Sequence, residues 1–113
     1  MPDPIRFRTE FAISVNNANT QIQSATTRLP DGRVVVTWAD VGSTSGDIKY
    51  RIFSADGLPV TGELTANTAT VGGQGAPNIS ALADGSFVIV WESFGADASG
   101  DVLFRRFDGT GAA

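Results

Sequence analysis

Cysteine and histidine are both absent from the 113 residues. Without cysteine there is no disulfide, no thiolate metal ligand and no thiol nucleophile. Without histidine, the usual zinc sites, Ser-His and Cys-His catalysis and an imidazole pH switch are excluded as well. A cysteine-free chain suits the cytosol and equally suits bacterial proteins that are exported unfolded. No apolar run approaches the roughly 20 residues needed to span a bilayer. The opening Met1-Pro2-Asp3-Pro4-Ile5-Arg6 shows no charged segment leading into an apolar one, so no cleavable secretory signal is read there. Positive charge is in short supply too. A net charge of −4 argues against nucleic acid, whose phosphates need a basic patch, and against anionic membranes.

What is present is a repeat. Leu29-Pro30-Asp31-Gly32-Arg33-Val34-Val35-Val36-Thr37-Trp38 returns as Leu82-Ala83-Asp84-Gly85-Ser86-Phe87-Val88-Ile89-Val90-Trp91. Gly46-Asp47-Ile48-Lys49-Tyr50-Arg51-Ile52-Phe53 returns as Gly100-Asp101-Val102-Leu103-Phe104-Arg105-Arg106-Phe107. Glu10 and Gln21 find partners in Glu63 and Gln74. The period of 53 to 54 residues marks units that bury an apolar face against the next unit.

Each unit reads as four short strands. The first spans Ile22 to Leu29 and, in the second copy, Asn78 to Leu82. Asp-Gly turns follow at Asp31-Gly32 and Asp84-Gly85, and again at Asp56-Gly57 and Asp108-Gly109. The second strand (Arg33 to Trp38, Ser86 to Trp91) is apolar on both faces and is expected to be buried on both. The third alternates, with Ile48 and Tyr50, or Val102 and Phe104, on one face and Arg51 and Phe53, or Arg105 and Phe107, on the other. The fourth covers Gly62 to Asn67, with an earlier counterpart at Glu10 to Asn16. No segment has helical periodicity, so the chain is all-β.

Four-stranded units of this length match β-propeller blades, which run about 40 to 50 residues. The expected fold is propeller-like, two four-stranded blades per chain with a period of about 53 residues; a β-sandwich is the alternative. Residues 1–20 then supply a strand completing a preceding blade, 21–73 form the first repeat, and 74–113 form the second without its last strand. Two blades cannot close a ring that needs 4 to 8. The chain is expected either to self-associate as a homo-oligomer or to be flanked by neighbouring repeats of a longer chain.

The pattern Leu82-x-Asp84-Gly85-x-Phe87-Val88-x-Val90-Trp91-x-Ser93, followed by Asp97-x-Ser99-Gly100-Asp101-Val102 and Arg105-x-Phe107-Asp108-x-x-Gly111, is preceded by Glu63, Asn67-Thr68, Gln74 and Pro77. It resembles tandem repeats of very large bacterial surface and type-I-secreted proteins, which often also carry hemolysin-type (RTX) calcium-binding repeats. That resemblance implies an extracellular or surface-linked module with adhesive or structural work.

Two constellations carry candidate chemistry. Asp97, Ser99 and Asp101 place oxygens at i, i+2 and i+4, as the first half of a calcium loop does. Calcium wants 6 to 8 oxygens and no downstream bidentate carboxylate stands in place, so a solvated turn competes with this reading. The first copy has Ser43-Thr44-Ser45-Gly46-Asp47 there instead. Secondly, Trp38 and Trp91 are each followed by an acid, Asp40 and Glu92, while Arg51 and Arg105 stand at matched places on the third strand. An indole platform, a carboxylate and a guanidinium suit a sugar ring; inter-blade packing by the tryptophans is the competing reading. The matched Gln21 and Gln74 are expected to satisfy backbone groups.

No nucleophile and base are arranged together, so no enzyme is expected. The leading expectation is a non-enzymatic extracellular module for adhesion or structural spacing, calcium-stabilised. The alternative is an oligomeric lectin that closes a propeller from two-blade chains and binds glycans. Calcium is the only cofactor expected.

Overall fold

The computed structural model of the chain describes residues 13, 20–41, 46–68, 73–94 and 100–113. Within them run β1 (Thr20–Arg28), β2 (Val34–Val41), β3 (Gly46–Phe53), β4 (Leu64–Thr65), β5 (Gly73–Ala81), β6 (Phe87–Phe94) and β7 (Gly100–Phe107). No helix occurs among the described residues. β1 to β4 make one antiparallel sheet in chain order, and β5 to β7 make a second.

The hairpin turns are built by aspartate and glycine together. The Gly32 N–H donates to the Leu29 carbonyl at 2.9 Å and the Gly85 N–H to that of Leu82 at 3.2 Å. Both glycines sit at positive φ, 95° and 92°, where a Cβ would be strained. The Asp31 carboxylate accepts the Arg33 N–H, and Asp84 accepts both the hydroxyl and the N–H of Ser86. These bonds hold the carboxyls of Asp31 and Asp84 below the usual carboxylate range. Gly57 repeats the pattern at φ 90°. The last turn differs from expectation. Its left-handed residue is Gly111, at φ 92°, rather than Gly109, because the Asp108 carboxylate caps Thr110 and sets the bend two residues later.

Two strands also differ in extent. β5 begins at Gly73, not Asn78, because a bulge between Gly75 and Asn78 breaks its alternation; β1 has the matching bulge between Ile22 and Ala25. The residues taking up the bend are Gln23 and Ala76, at φ 58° and 50°. In the expected fourth strand only Leu64–Thr65 pairs with β3. Beyond it the Asn67 side-chain oxygen accepts the Ile48 N–H at 2.7 Å. A side chain has taken over where the backbone ladder stops.

Period-two alternation then sorts the apolar residues to faces. Val35 and Ala39 of β2, with Ile48, Tyr50 and Ile52 of β3, face the second sheet. They meet Phe87, Ile89 and Trp91 of β6 and Phe107 of β7. Val36, Trp38 and Phe53 turn the other way and gather with Val34 and Ile13 in a separate cluster. β2 is thus buried on both sides, as its sequence demands. The Tyr50 ring lies 4.6 Å from Phe107 and 5.9 Å from Phe87, centroid to centroid. Contact between the sheets is most extensive where β5 meets β1. At the start of β3 a Cβ on Gly46 would lie 2.7 Å from the Gln74 carbonyl oxygen, so only glycine fits that approach.

Tyr50 also ties the sheets by donating its hydroxyl to the Gly111 carbonyl at 2.7 Å. Burial pushes its pKa up to about 12, with Arg105 opposing and Asp108 adding to the shift. A raised folded-state pKa means this contribution is intact below pH ~10 and is lost as pH climbs toward 12. As the chain has one tyrosine, phenolate absorbance reports this group alone. Urea unfolding across that range should show the loss, and Tyr50→Phe should abolish it.

Candidate binding surfaces

The residues expected to hold a sugar fall into different environments. Trp91 is 4% exposed, and its indole N–H donates to the Gln74 side-chain oxygen at 2.9 Å inside the inter-sheet core. Glu92, the next residue along β6, points to the opposite face and is exposed. Arg105 lies over the Phe107 ring at 5.7 Å and donates to the Ala66 carbonyl at 3.1 Å. Adjacent residues of one strand cannot share a face, so Trp91, Glu92 and Arg105 do not converge. In this copy the tryptophan and the arginine serve the contact between sheets.

The first copy has the same parts on the outward side of its sheet. Arg51 lies over Phe53 at 5.3 Å and donates to the Ile13 and Thr61 carbonyls, both at 2.8 Å. Trp38 is as buried as Trp91, but its indole nitrogen has no hydrogen-bond partner among the described residues. It lines an open groove of about 320 Å³ bordered by β1 residues 21–24, Val36 and Ile13. Asp40 shares its face two residues on; it is 5% exposed, with one carboxylate oxygen unpartnered among the described residues. Trp38, Asp40 and Arg51 therefore do share one face, although Arg51 is committed to backbone carbonyls.

Of the expected calcium ligands, Asp97 and Ser99 lie outside the described residues. Asp101 is exposed at the start of β7, opposite Ser93. Among the described residues no three acidic side chains gather to hold a metal ion.

Alternation alone did not indicate which apolar residues would remain in water. Val102 and Phe104 of β7 are 72% and 71% exposed. With the half-buried Val88 and Val90 they make an apolar outward face on the second sheet. Their counterparts in the first copy, Ile48 and Tyr50, lie in the inter-sheet core.

No known protein family, curated protein or solved structure matches the chain.

The role of Arg105 as an inter-sheet clamp can be measured. Arg105→Met removes its bond to Ala66 and its contact with the Phe107 ring, at an expected cost of about 1–3 kcal/mol in urea unfolding. An arginine held only for a ligand would leave stability unchanged.

Proposed function

We propose that the chain is a non-enzymatic repeat module, two units of a propeller-like array, that serves adhesion or structural spacing in a bacterial surface or secreted protein. The observation that carries this reading is the way the sheets meet. The first sheet offers Val35, Ile48 and Tyr50; the second offers Phe87, Ile89, Trp91 and Phe107. In repeat terms these are opposite faces of the unit, so the back of one unit lies on the front of the next. A sandwich that buries equivalent faces ends with itself, whereas back-to-front stacking can continue, and here it leaves the back of the second unit, at Val102 and Phe104, exposed. The extensive contact of β1 with β5 also suits wedge-shaped units converging on an axis. Calcium at Asp97, Ser99 and Asp101 belongs to this reading as a stabiliser of the loop before β7.

The test is a tandem fusion of two copies in one polypeptide, studied at concentrations where the single chain stays monomeric. Array stacking adds a new interface between the copies, so the fusion should melt higher and as a larger cooperative unit. Two copies melting independently at the temperature of the single chain would sink the reading.

A second reading, a carbohydrate-binding module, is favoured by the Trp38 groove, where an indole lines an open space beside Gln21 and Ser24. Indoles stack on the apolar faces of sugars. Titration of methyl glycosides against tryptophan fluorescence should give saturable changes that Trp38→Phe weakens and Trp91→Phe does not. A flat response across a broad glycoside panel retires this reading.

A further inference from the structure

We propose that a second copy of this chain pairs with the first along the outer edge of β7, strand against strand and antiparallel, so that two three-stranded sheets become one. This goes beyond the repeat-module reading and does not depend on it, because stacking uses the faces of the sheets and this contact uses an edge.

β3 shows what such an edge requires. Its register with β2 sets Ile48, Tyr50 and Ile52 opposite Ala39, Thr37 and Val35. The backbone groups of these three residues point away from β2 and find partners on the other side. The Ile48 carbonyl accepts the Ala66 N–H at 2.8 Å, and the Ile48 N–H donates to the Asn67 side-chain oxygen. The Ile52 carbonyl accepts the Val60 N–H at 2.8 Å, and the Ile52 N–H donates to the Thr61 hydroxyl oxygen at 3.1 Å. Tyr50 pairs with Leu64 of β4. β7 has the same register on β6, with Val102, Phe104 and Arg106 opposite Glu92, Val90 and Val88. Their N–H and carbonyl groups therefore point to the outer edge, and among the described residues no strand covers it. The edge is not blunted either. β7 has no proline and no bulge, and Val102 and Phe104 are 72% and 71% exposed.

The strand that fits there is β7 itself. Antiparallel pairing brings edge-facing residues opposite edge-facing residues, so Val102, Phe104 and Arg106 must meet one another. Centred on Leu103, two copies of the strand place Val102 across from Phe104 and Asp101 across from Arg105, each twice. Opposite charges and apolar–aromatic pairs are both favourable across strands. Val102 and Phe104 then extend the apolar face that Val88 and Val90 begin. Centred on Phe104, the strands would set Val102 against Arg106 and Asp101 against Phe107, and gain neither. Because the contact pairs a surface with itself about a two-fold axis, it closes at a dimer.

The chain contains no cysteine, so a single introduced one reports the register. Leu103 sits on the two-fold as a pair without mutual hydrogen bonds, its two Cα atoms about 4.5 Å apart, within the span of a disulfide. Leu103→Cys should therefore link covalently under mild oxidation, at least about 10-fold faster than Phe104→Cys, whose copies are displaced along the strands beyond disulfide reach. Sedimentation velocity is the second measurement, and it should show a wild-type dimer. Val102→Pro removes an edge-facing N–H without touching the ladder to β6, and should weaken association by about 10-fold or more. Asp101→Lys, at an exposed position, sets a like charge across from Arg105 and should weaken it as well. Melting curves confirm that each variant folds; should Val102→Pro fail to, Asp101→Lys carries the test. A wild-type chain that is monomeric throughout overturns the proposal. So does a dimer that both variants leave intact, or equal linking of Leu103→Cys and Phe104→Cys.

Discussion

The ring of Tyr50 stands against Phe87 and Phe107, and this aromatic contact holds the two sheets in their relation. Neither sheet is self-sufficient: β2 is apolar on both faces, and a three- or four-stranded antiparallel sheet leaves both sides open. Burying three large rings together contributes on the order of 1.5–3 kcal/mol for each ring. The hydroxyl must then find a partner in a dry site, and Gly111 provides one from the last turn of the chain. The contact thereby ties the third strand of the first unit to the third strand and C-terminal turn of the second.

Much of the remaining polar structure serves the same junction. Arg105 crosses from β7 to Ala66, Trp91 is satisfied by Gln74, and Gln23 accepts the Ala76 N–H at 2.9 Å across the paired bulges. The bulges occur at matched places in β1 and β5, where contact between the sheets is most extensive. A bulge frees one backbone N–H from the ladder, and at Ala76 that group goes to the neighbouring unit instead. The residues that looked most like ligand-binding chemistry in the second copy are engaged in joining units. In the first copy the same residue types face outward, and an indole nitrogen and a carboxylate oxygen there lack partners among the described residues. The asymmetry between copies follows from position in the chain, not from a difference in residue type.

How far the sequence could be read depended on whether a signal was local. Strand positions, the turns at Asp31-Gly32 and Asp84-Gly85, and the faces of Val34, Val36 and Trp38 follow from alternation and from the special conformation of glycine. The bulges at Gln23 and Ala76 were not legible, because neither residue type advertises a positive φ. The shortness of β4 was hidden as well, since Asn67 replaces the ladder with its side chain. The grouping of tryptophan, acid and arginine failed in the second copy for a plain reason: Trp91 and Glu92 are neighbours on a strand and must point apart.

By itself the sequence determined that the chain is all-β, that it contains two related units, and which residues share a face of each strand. These depend on bonded geometry and on patterns a few residues long. Only the tertiary structure decided which face of one unit meets which face of the other. Both faces of the second strand are apolar, so hydrophobic burial favours either pairing. The choice is made by shape, where Gly46 admits the Gln74 backbone, and by the bonds of Tyr50 and Arg105 across the junction. That choice left Trp38 at one end of the chain and Phe104 at the other.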